Sequence, residues 1–375
     1  MAGLLAWRNL THDRSRFLVT MIGIAFAVIL IAVQLGLFKG FSESTTTIIR
    51  HTRADLWIMG KGTRNFEITV PISDRELFGA KSIPGVADAE GLLVRFAGWN
   101  KPDGGTESVF LVGFDLNSAV AGVWGLAAGD LESLRRPDAV IVDRLYLDKL
   151  GIEGVGAHVE MAGHRARVVG LTQGVRSFTT SPWVFTSART AQEILDFTAS
   201  DWNYVLVTLE PDADPNTVRD ALREALPRAD VYRIDELAEM TNDYWIYTTG
   251  AGAAVVLSAL LGVVVGVVIV AQVLYATTMD HLTEFGTLRA MGAPQSFIYR
   301  VILGQATISA VLGHLIGASI AMAVSRASEN GPILVNVTLG LAGTLFLLTL
   351  LMCILAALIS IRKAMTIDPA MVFQR

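Results

Sequence analysis

The chain has one cysteine, Cys353, in 375 residues. No intrachain disulfide is available, so any folded domain must be held by packing alone, and a lone thiol inside an apolar run reads as a small helix-interface residue. Charge is also scarce: charged residues make up 17% of the chain against 52% hydrophobic, a balance too apolar for an ordinary water-soluble protein. The motifs of autonomous chemistry are missing as well. No G-x-x-x-x-G-K-[ST] phosphate loop occurs, and the nearest run, Gly60-Lys61-Gly62-Thr63, lacks the upstream glycine, so the chain is not expected to be an ATPase. H-E-x-x-H, G-x-S-x-G and C-x-x-C are absent and the six histidines are scattered, which leaves no metal, catalytic residue or enzyme class to assign.

The shortage of charge is local. Phe17 to Phe38, Tyr244 to Met279, Val301 to Ser325 and Asn330 to Ile361 contain no Asp, Glu, Lys or Arg. Each exceeds the roughly 20 helical residues needed to cross a hydrocarbon core about 30 Å thick. Arg8, Arg14 and Arg16 precede the first segment, but its apolar run is longer than a signal-peptide core and no small-x-small site follows, so a retained helix is expected. The expected division is an amphipathic segment 1–16, a first span 17–38, an outer domain 39–243, and a second span with its stalk 244–279. A cytoplasmic loop 280–300, a third span 301–325, a short loop 326–332, a fourth span 333–361 and a tail 362–375 follow.

Arginine and lysine orient the spans. Arg8, Arg14, Arg16, Arg289, Arg300, Arg362, Lys363 and Arg375 fall on one side, against Arg326 alone in the short third-to-fourth connection. The first group is expected in the cytoplasm. Residues 39–243 then lie outside it. They hold 21 Lys and Arg against 30 Asp and Glu, an acidic balance that gives no support to a nucleic-acid role.

This outer region is long enough for its own core. Runs rich in β-branched and aromatic residues at Asp55 to Met59, Ser108 to Phe114, Ala139 to Val142, Arg165 to Leu171 and Tyr204 to Leu209 are separated by turn residues and predict strands. Asp214 to Leu226 predicts a helix, with Asp214 as N-cap, Pro215 in its first turn and Val218, Leu222 and Leu226 at helical spacing. The fold class is therefore an α-helical integral membrane protein with four transmembrane helices and a large α+β extracytoplasmic domain between helices 1 and 2.

The second apolar segment has 36 residues, about 54 Å as a helix, so part of it is expected to project as a stalk. "KGFSESTTTIIRH" after the first span can continue that helix beside it. Such a pair either transmits tilt and shear or serves as a passive spacer.

In and next to the spans, Gly36 and Gly40, Gly262 and Gly266, and Gly313 and Gly317 have small-x-x-x-small spacing and invite helix packing, within the chain or with a second copy. His314 is the ionisable residue inside a span. It marks either a functional site or a neutral imidazole hydrogen-bonded across a helix interface. In the outer domain, Phe96, Trp99, Trp124, Phe178 and Trp183 are candidates for contact with an amphiphile or an adaptor, against the alternative of ordinary core packing.

"EFGTLRAMGAP", Glu284 to Pro294, lies between the second and third spans. Leu282, Phe285, Leu288 and Met291 recur at helical intervals, and Gly292 and Pro294 end the pattern. A short amphipathic helix is expected at the cytoplasmic surface, either lying on headgroups or fitting a groove on a partner.

"HLTEFGTLRAMGA" resembles the coupling-helix motif E-x-G-x-L-R-A-x-G of MacB/FtsX/LolC-type ABC transporter permeases, with matches at Glu284, Gly286, Leu288, Arg289, Ala290 and Gly292. The order of parts agrees, from "LAWRNLTHDRSR" at the start to the Asp-Pro-containing "IRKAMTIDPAMVF" at the end. The resemblance implies a porter-like outer domain, self-dimerisation and two separate ABC ATPase subunits that bind the ATP and magnesium, with no cofactor in this chain. It assigns ATPase coupling to His281, Leu282, Glu284, Phe285, Gly286, Leu288, Arg289, Ala290 and Gly292. His281-Leu282 departs from the common Glu-Arg opening, and with "FAGWNKPDG", "LVGFDL" and "PDAVIVDR" it is most similar to the DevC branch. That branch implies a periplasmic membrane-fusion adaptor, an outer-membrane channel and a location in the bacterial inner membrane. The implied action is mechanotransmission: ATP-driven closure moves the coupling helices, the stalks and then the outer domains, exporting a lipid, glycolipid or other amphiphile. Alternatives are an FtsX-like relay that activates an extracytoplasmic enzyme, a LolC/E-like lipoprotein extractor, and a ligand sensor.

Overall fold

The computed structural model describes residues 2–12, 14–118, 120–177, 181–280, 287, 291, 294–329 and 331–365. The chain divides into two compact units: residues 1–39, 252–328 and 334–375 form one, and residues 40–251 with 329–333 form the other.

The first unit is a helical bundle. Helix α1 (Ala2–His12) is followed by α2 (Arg14–Thr45), whose first part belongs here, and by α9 (Ala251–Asp280), α10 (Gln295–Ser328) and α11 (Leu339–Met365). Four of these, α2, α9, α10 and α11, are long and apolar enough to cross a membrane. Their shared core takes Ile24 and Val28 from α2, Val270 from α9, Val301 and Ala306 from α10, and Met352 and Cys353 from α11. Ala6 and Leu10 of α1 are buried while Trp7 is exposed, which gives α1 its amphipathic character. Gly304 lets Ala6 approach α10: a β-carbon there would stand 3.2 Å from the Ala6 methyl.

Helix α11 starts six residues after the expected position 333, and the preceding backbone has other partners. Asn336 N donates to Gly36 O at 2.9 Å. The Ser325 hydroxyl donates to Val335 O at 2.7 Å, and Ser328 Oγ accepts from Val335 N at 3.0 Å. With its amides and carbonyls satisfied this way, the segment has no need of helical hydrogen bonds.

The second unit opens with the end of α2, followed by α3 (Thr47–His51). Its strands are β1 (Leu56–Gly60), β2 (Ile72–Ser73), β3 (Val86–Asn100), β4 (Thr106–Phe114), β5 (Leu126–Gly129), β6 (Ala139–Asp143), β7 (His158–Met161), β8 (His164–Thr172), β9 (Trp183–Ser187), β10 (Asp201–Trp202), β11 (Tyr204–Leu209) and β12 (Ala229–Arg233). Its remaining helices are α4 (Asp74–Lys81), α5 (Leu147–Leu150), α6 (Ala188–Ile194), α7 (Pro215–Ala225) and α8 (Ile234–Asp243).

Ten strands join in one sheet ordered β12-β1-β11-β3-β4-β9-β6-β8-β5, with β7 pairing both β3 and β8. That last pairing closes β3, β4, β9, β6, β8 and β7 into a ring. Strand alternation then sorts side chains by face. Leu93, Trp99, Leu111, Val142, Val168 and Val184 form one core cluster, while Val94, Phe110, Ile141 and Phe185 belong to another. The four-stranded end is covered on both faces, which explains why β1 is buried throughout. Leu56 and Ile58 pack with Val218 and Leu222 of α7, and Trp57 and Met59 cluster with Ile48 and Ile49 of α3 and Leu237 of α8. Helix α7 has the expected cap, with Thr217 N donating to Asp214 Oδ2 at 2.9 Å.

Candidate functional site

The segment with the coupling pattern provides only two described residues before Pro294. Met291 N donates to Thr287 O at 3.0 Å, and Met291 is 72% exposed. His281, Leu282, Glu284, Phe285, Gly286, Leu288, Arg289, Ala290 and Gly292 lie outside the described residues. Beyond Pro294 the chain enters α10 at once.

The stalk elements are better defined. Helix α2 continues for 32 residues without interruption, about 48 Å at helical rise, and passes from the helical unit into the outer unit at Gly40. At its end the Thr45 hydroxyl donates to Asn242 Oδ1 of α8 at 2.6 Å. The Arg50 guanidinium of α3 lies 3.6 Å from Asp235 of α8. The two attachments of the outer unit are therefore tied to each other by side chains.

The second attachment differs from the single long helix expected from its 36 charge-free residues. Tyr244–Thr248 form one π-helical turn, Gly250 takes the left-handed conformation at φ +77, and only then does α9 begin at Ala251. A residue with a β-carbon is disfavoured in that conformation, so Gly250 interrupts the helix.

Glu67 reaches this π-turn. Its carboxylate accepts from Trp245 Nε1 at 2.8 Å and from Asn65 Nδ2 at 3.2 Å. Burial pushes the Glu67 carboxyl up to about 7, while the Trp245 bond opposes the shift. Between the ordinary carboxylate value and 7 the unfolded chain has released a proton that the folded chain retains, so stability falls as pH rises through this window. Glu67→Gln is expected to flatten the fall by about 3 kcal/mol between about pH 5 and pH 8. Thermal unfolding of both forms across that range checks it, and equal pH slopes would refute it.

A further tie runs from the sheet to residues 329–333. Arg176 Nε donates to Gly331 O at 2.9 Å, and its Nη2 donates to Glu329 O. The preceding turn is anchored on Asp143, which accepts from Leu145 N, Thr172 Oγ1 and Val175 N at 2.9, 2.9 and 2.7 Å. Sequence reasoning missed Glu67, Asp143 and Arg176, because each acts through partners far away in sequence.

The glycine positions are filled from within the chain. A β-carbon on Gly36 would stand 2.9 Å from Val335 and Val337, one on Gly262 would stand 2.6 Å from Leu30, and one on Gly266 would stand 2.7 Å from Met352 Sδ. Gly313 meets Ile24, and Gly317 meets Val28 with Ala25 O at 2.9 Å. Gly40 O accepts from the Ser44 hydroxyl at 2.7 Å. A second copy therefore finds the contact faces of Gly36, Gly262, Gly266, Gly313 and Gly317 occupied. Because a backbone oxygen cannot move aside as a side chain can, Gly317→Val is expected to cost the helical unit about 1–3 kcal/mol, read as a lower thermal midpoint in detergent. An unchanged midpoint would show that the α2–α10 contact is not tight.

His314 is 6% exposed and packs edge-to-face on Phe346 of α11, with centroids 5.3 Å apart. Its Nδ1 has no hydrogen-bond partner among the described residues, and the ring meets the neighbouring helix through Phe346. The outer aromatics separate in the same way. Trp99 is fully buried inside the strand ring, its Nε1 donating to Leu150 O at 3.0 Å. Trp183 is 3% exposed and stacks on Phe110 at 4.5 Å. Trp124 is half-buried, stacked on His51 at 4.2 Å. Phe178 lies outside the described residues, and of the four described Phe96 alone is exposed, at 45%, over Phe110 at 3.8 Å. Trp99 and Trp183 are thus core residues of different clusters, and the expected common contact surface is corrected on that ground.

Comparison with known proteins follows this division. Residues 17–225 match the model of the MacB-like periplasmic core domain, and residues 255–369 match the FtsX-like permease C-terminal model. An ABC transporter permease of Mycobacterium tuberculosis (strain H37Rv) is 23% identical over 371 residues, covering 98% of both chains. One from Mycobacterium bovis is 22% identical over 373 residues, again covering 98% of each. Among solved structures, the periplasmic region of MacB from Actinobacillus actinomycetemcomitans matches 51% of this chain and 94% of its own, at 12% identity and a TM-score of 0.37. The extracellular domain of the noncanonic ABC-type transporter YknZ from Gram-positive bacteria matches 48% of this chain and 99% of its own, at 16% identity and a TM-score of 0.36. With one family model spanning more than half of its length and the second covering the three helices that follow, the chain belongs to the MacB/FtsX-type ABC transporter permeases.

Proposed function

We infer that this permease transmits the work of a separate ATPase pair to its outer unit, and that the outer units of a homodimer move an amphiphile outside the cytoplasm. The observation that carries the reading is the uninterrupted α2, from Arg14 to Thr45, locked at its far end to α8 by Thr45 and Asn242. A continuous helix transmits tilt with little loss, whereas the Gly250 break in the other attachment leaves room for the angle to change. The coupling residues Glu284 and Arg289 are assigned the input. ATP and magnesium belong to the partner, in keeping with a permease that carries no phosphate loop of its own.

The finer reading is a tripartite exporter of DevC type. The chain sits in a bacterial inner membrane with its outer unit in the periplasm, where a membrane-fusion adaptor and an outer-membrane channel receive a lipid, glycolipid or similar amphiphile. Affinity purification from native membranes in mild detergent, followed by mass spectrometry, tests it. Recovery of a phosphate-loop ATPase with a periplasmic adaptor is the expected result. An ATPase recovered with a cell-wall hydrolase would replace export by signal relay, and recovery of no ATPase would overturn the coupling assignment.

A further inference from the structure

A groove of about 410 Å³ lies between α10 and α11, lined by Tyr299, Leu303, Leu358, Ile361 and Arg362. The spacing explains its form. Tyr299 and Leu303 are one helical turn apart on α10, and Leu358, Ile361 and Arg362 share one face of α11. The groove lies where α10 begins and α11 ends, the side expected to be cytoplasmic from its arginines.

Its chemistry is polarised. Leucine and isoleucine form the walls, with one phenol and one guanidinium beside them. Arg362 is exposed, and among the described residues it has no carboxylate partner. Towards the membrane interior the apolar surface of α11 continues through Leu355 and Leu351, 46% and 54% exposed. From Leu351 to Arg362, eleven positions on, α11 rises roughly 16 Å, about the depth of one leaflet of a 30 Å hydrocarbon core. An apolar track one leaflet deep, ending at an exposed cation on the side expected to be cytoplasmic, fits an acyl chain below an anionic headgroup.

We propose that the groove between α10 and α11 binds an anionic phospholipid of the cytoplasmic leaflet, with Arg362 engaging the phosphate and Tyr299 donating a hydrogen bond at headgroup level. All five lining residues belong to the helical unit. The site would make the lipid part of the seam that joins the helices on either side of the short outer loop.

The test is native mass spectrometry of the full chain in detergent, offered an equimolar mixture of phosphatidylglycerol and phosphatidylcholine with matched acyl chains. The wild type is expected to retain phosphatidylglycerol preferentially by about fivefold, the value of one interfacial cation. Arg362→Gln should bring the ratio close to parity, Arg362→Lys should keep most of it, and Leu358→Trp, which fills the groove, should lower retention of both lipids. Excess inorganic phosphate should leave the wild-type ratio unchanged. Parity in the wild type, a wild-type ratio in Arg362→Gln, or displacement by phosphate would each overturn the proposal. So would an unchanged lipid ratio accompanied by altered self-association, which would assign the groove to a second copy. If Arg362→Gln does not accumulate, the Lys and Trp variants decide: a lost ratio in the first or undiminished retention in the second refutes the site.

Discussion

Arg289→Glu and Glu284→Arg are each expected to leave the permease in the membrane while lowering substrate-stimulated ATP hydrolysis by about tenfold or more. A charge reversed against a complementary surface on a partner costs several kcal/mol, and each 1.4 kcal/mol is about a factor of ten. Both positions lie in a short run between two apolar segments, with an amphipathic sequence pattern, so neither reversal removes a membrane-spanning residue. The measurement is ATPase activity of the reconstituted permease and its ATPase in proteoliposomes, with assembly checked by co-purification. Normal assembly together with normal stimulation in both variants would show that these residues do not carry the coupling.

The second large effect separates core aromatics from exposed ones. Trp99→Ala is expected to destabilise the outer unit by about 3–5 kcal/mol, the usual cost of truncating a buried tryptophan. It empties the inside of the strand ring and leaves Leu150 O without the indole N–H. Phe96→Ala, at a residue 45% exposed, should cost less than about 1 kcal/mol of stability. Thermal unfolding of both variants checks the contrast, and equal losses would place Phe96 in the core. If Phe96→Ala instead lowers transport without changing the thermal midpoint, Phe96 acquires a contact role that Trp99 and Trp183 cannot have.

Much of this architecture was legible in the chain. Strands β1, β4, β6, β8 and β11 announce themselves by β-branched runs, and α7 by Asp214, Pro215 and its apolar stripe. Strand β3 does not, although it is the longest at 15 residues. It contains Gly91 and Gly98 and alternates irregularly, because its two ends face different partners: β11 lies along the first half, and β7 pairs with Trp99 and Asn100. Gly91 reads as a strand breaker in sequence, yet it is where the Trp202 ring lies on the sheet; a β-carbon would stand 2.2 Å from that ring. The break at Gly250 was hidden for a related reason. Tyr244 to Thr248 contain no charge, so a count of charge-free residues joined them to the span, whereas the local backbone excludes them from α9. The coupling assignment rests on motif and spacing, and all nine of its residues lie outside the described part of the chain.

The central claim is that nucleotide bound by the partner moves the outer unit. Cys353 is the sole native cysteine and is buried, so a Cys353→Ala chain with Glu224→Cys, an exposed position on α7, accepts one spin label per copy. Pulsed electron paramagnetic resonance on the complex with its ATPase would read the distance between labels before and after trapping with a non-hydrolysable ATP analogue. The account predicts a defined distance distribution that shifts on trapping, and a shift that disappears in Arg289→Glu. A distribution that stays fixed while the complex hydrolyses ATP, or the absence of any distance between labels, would contradict it.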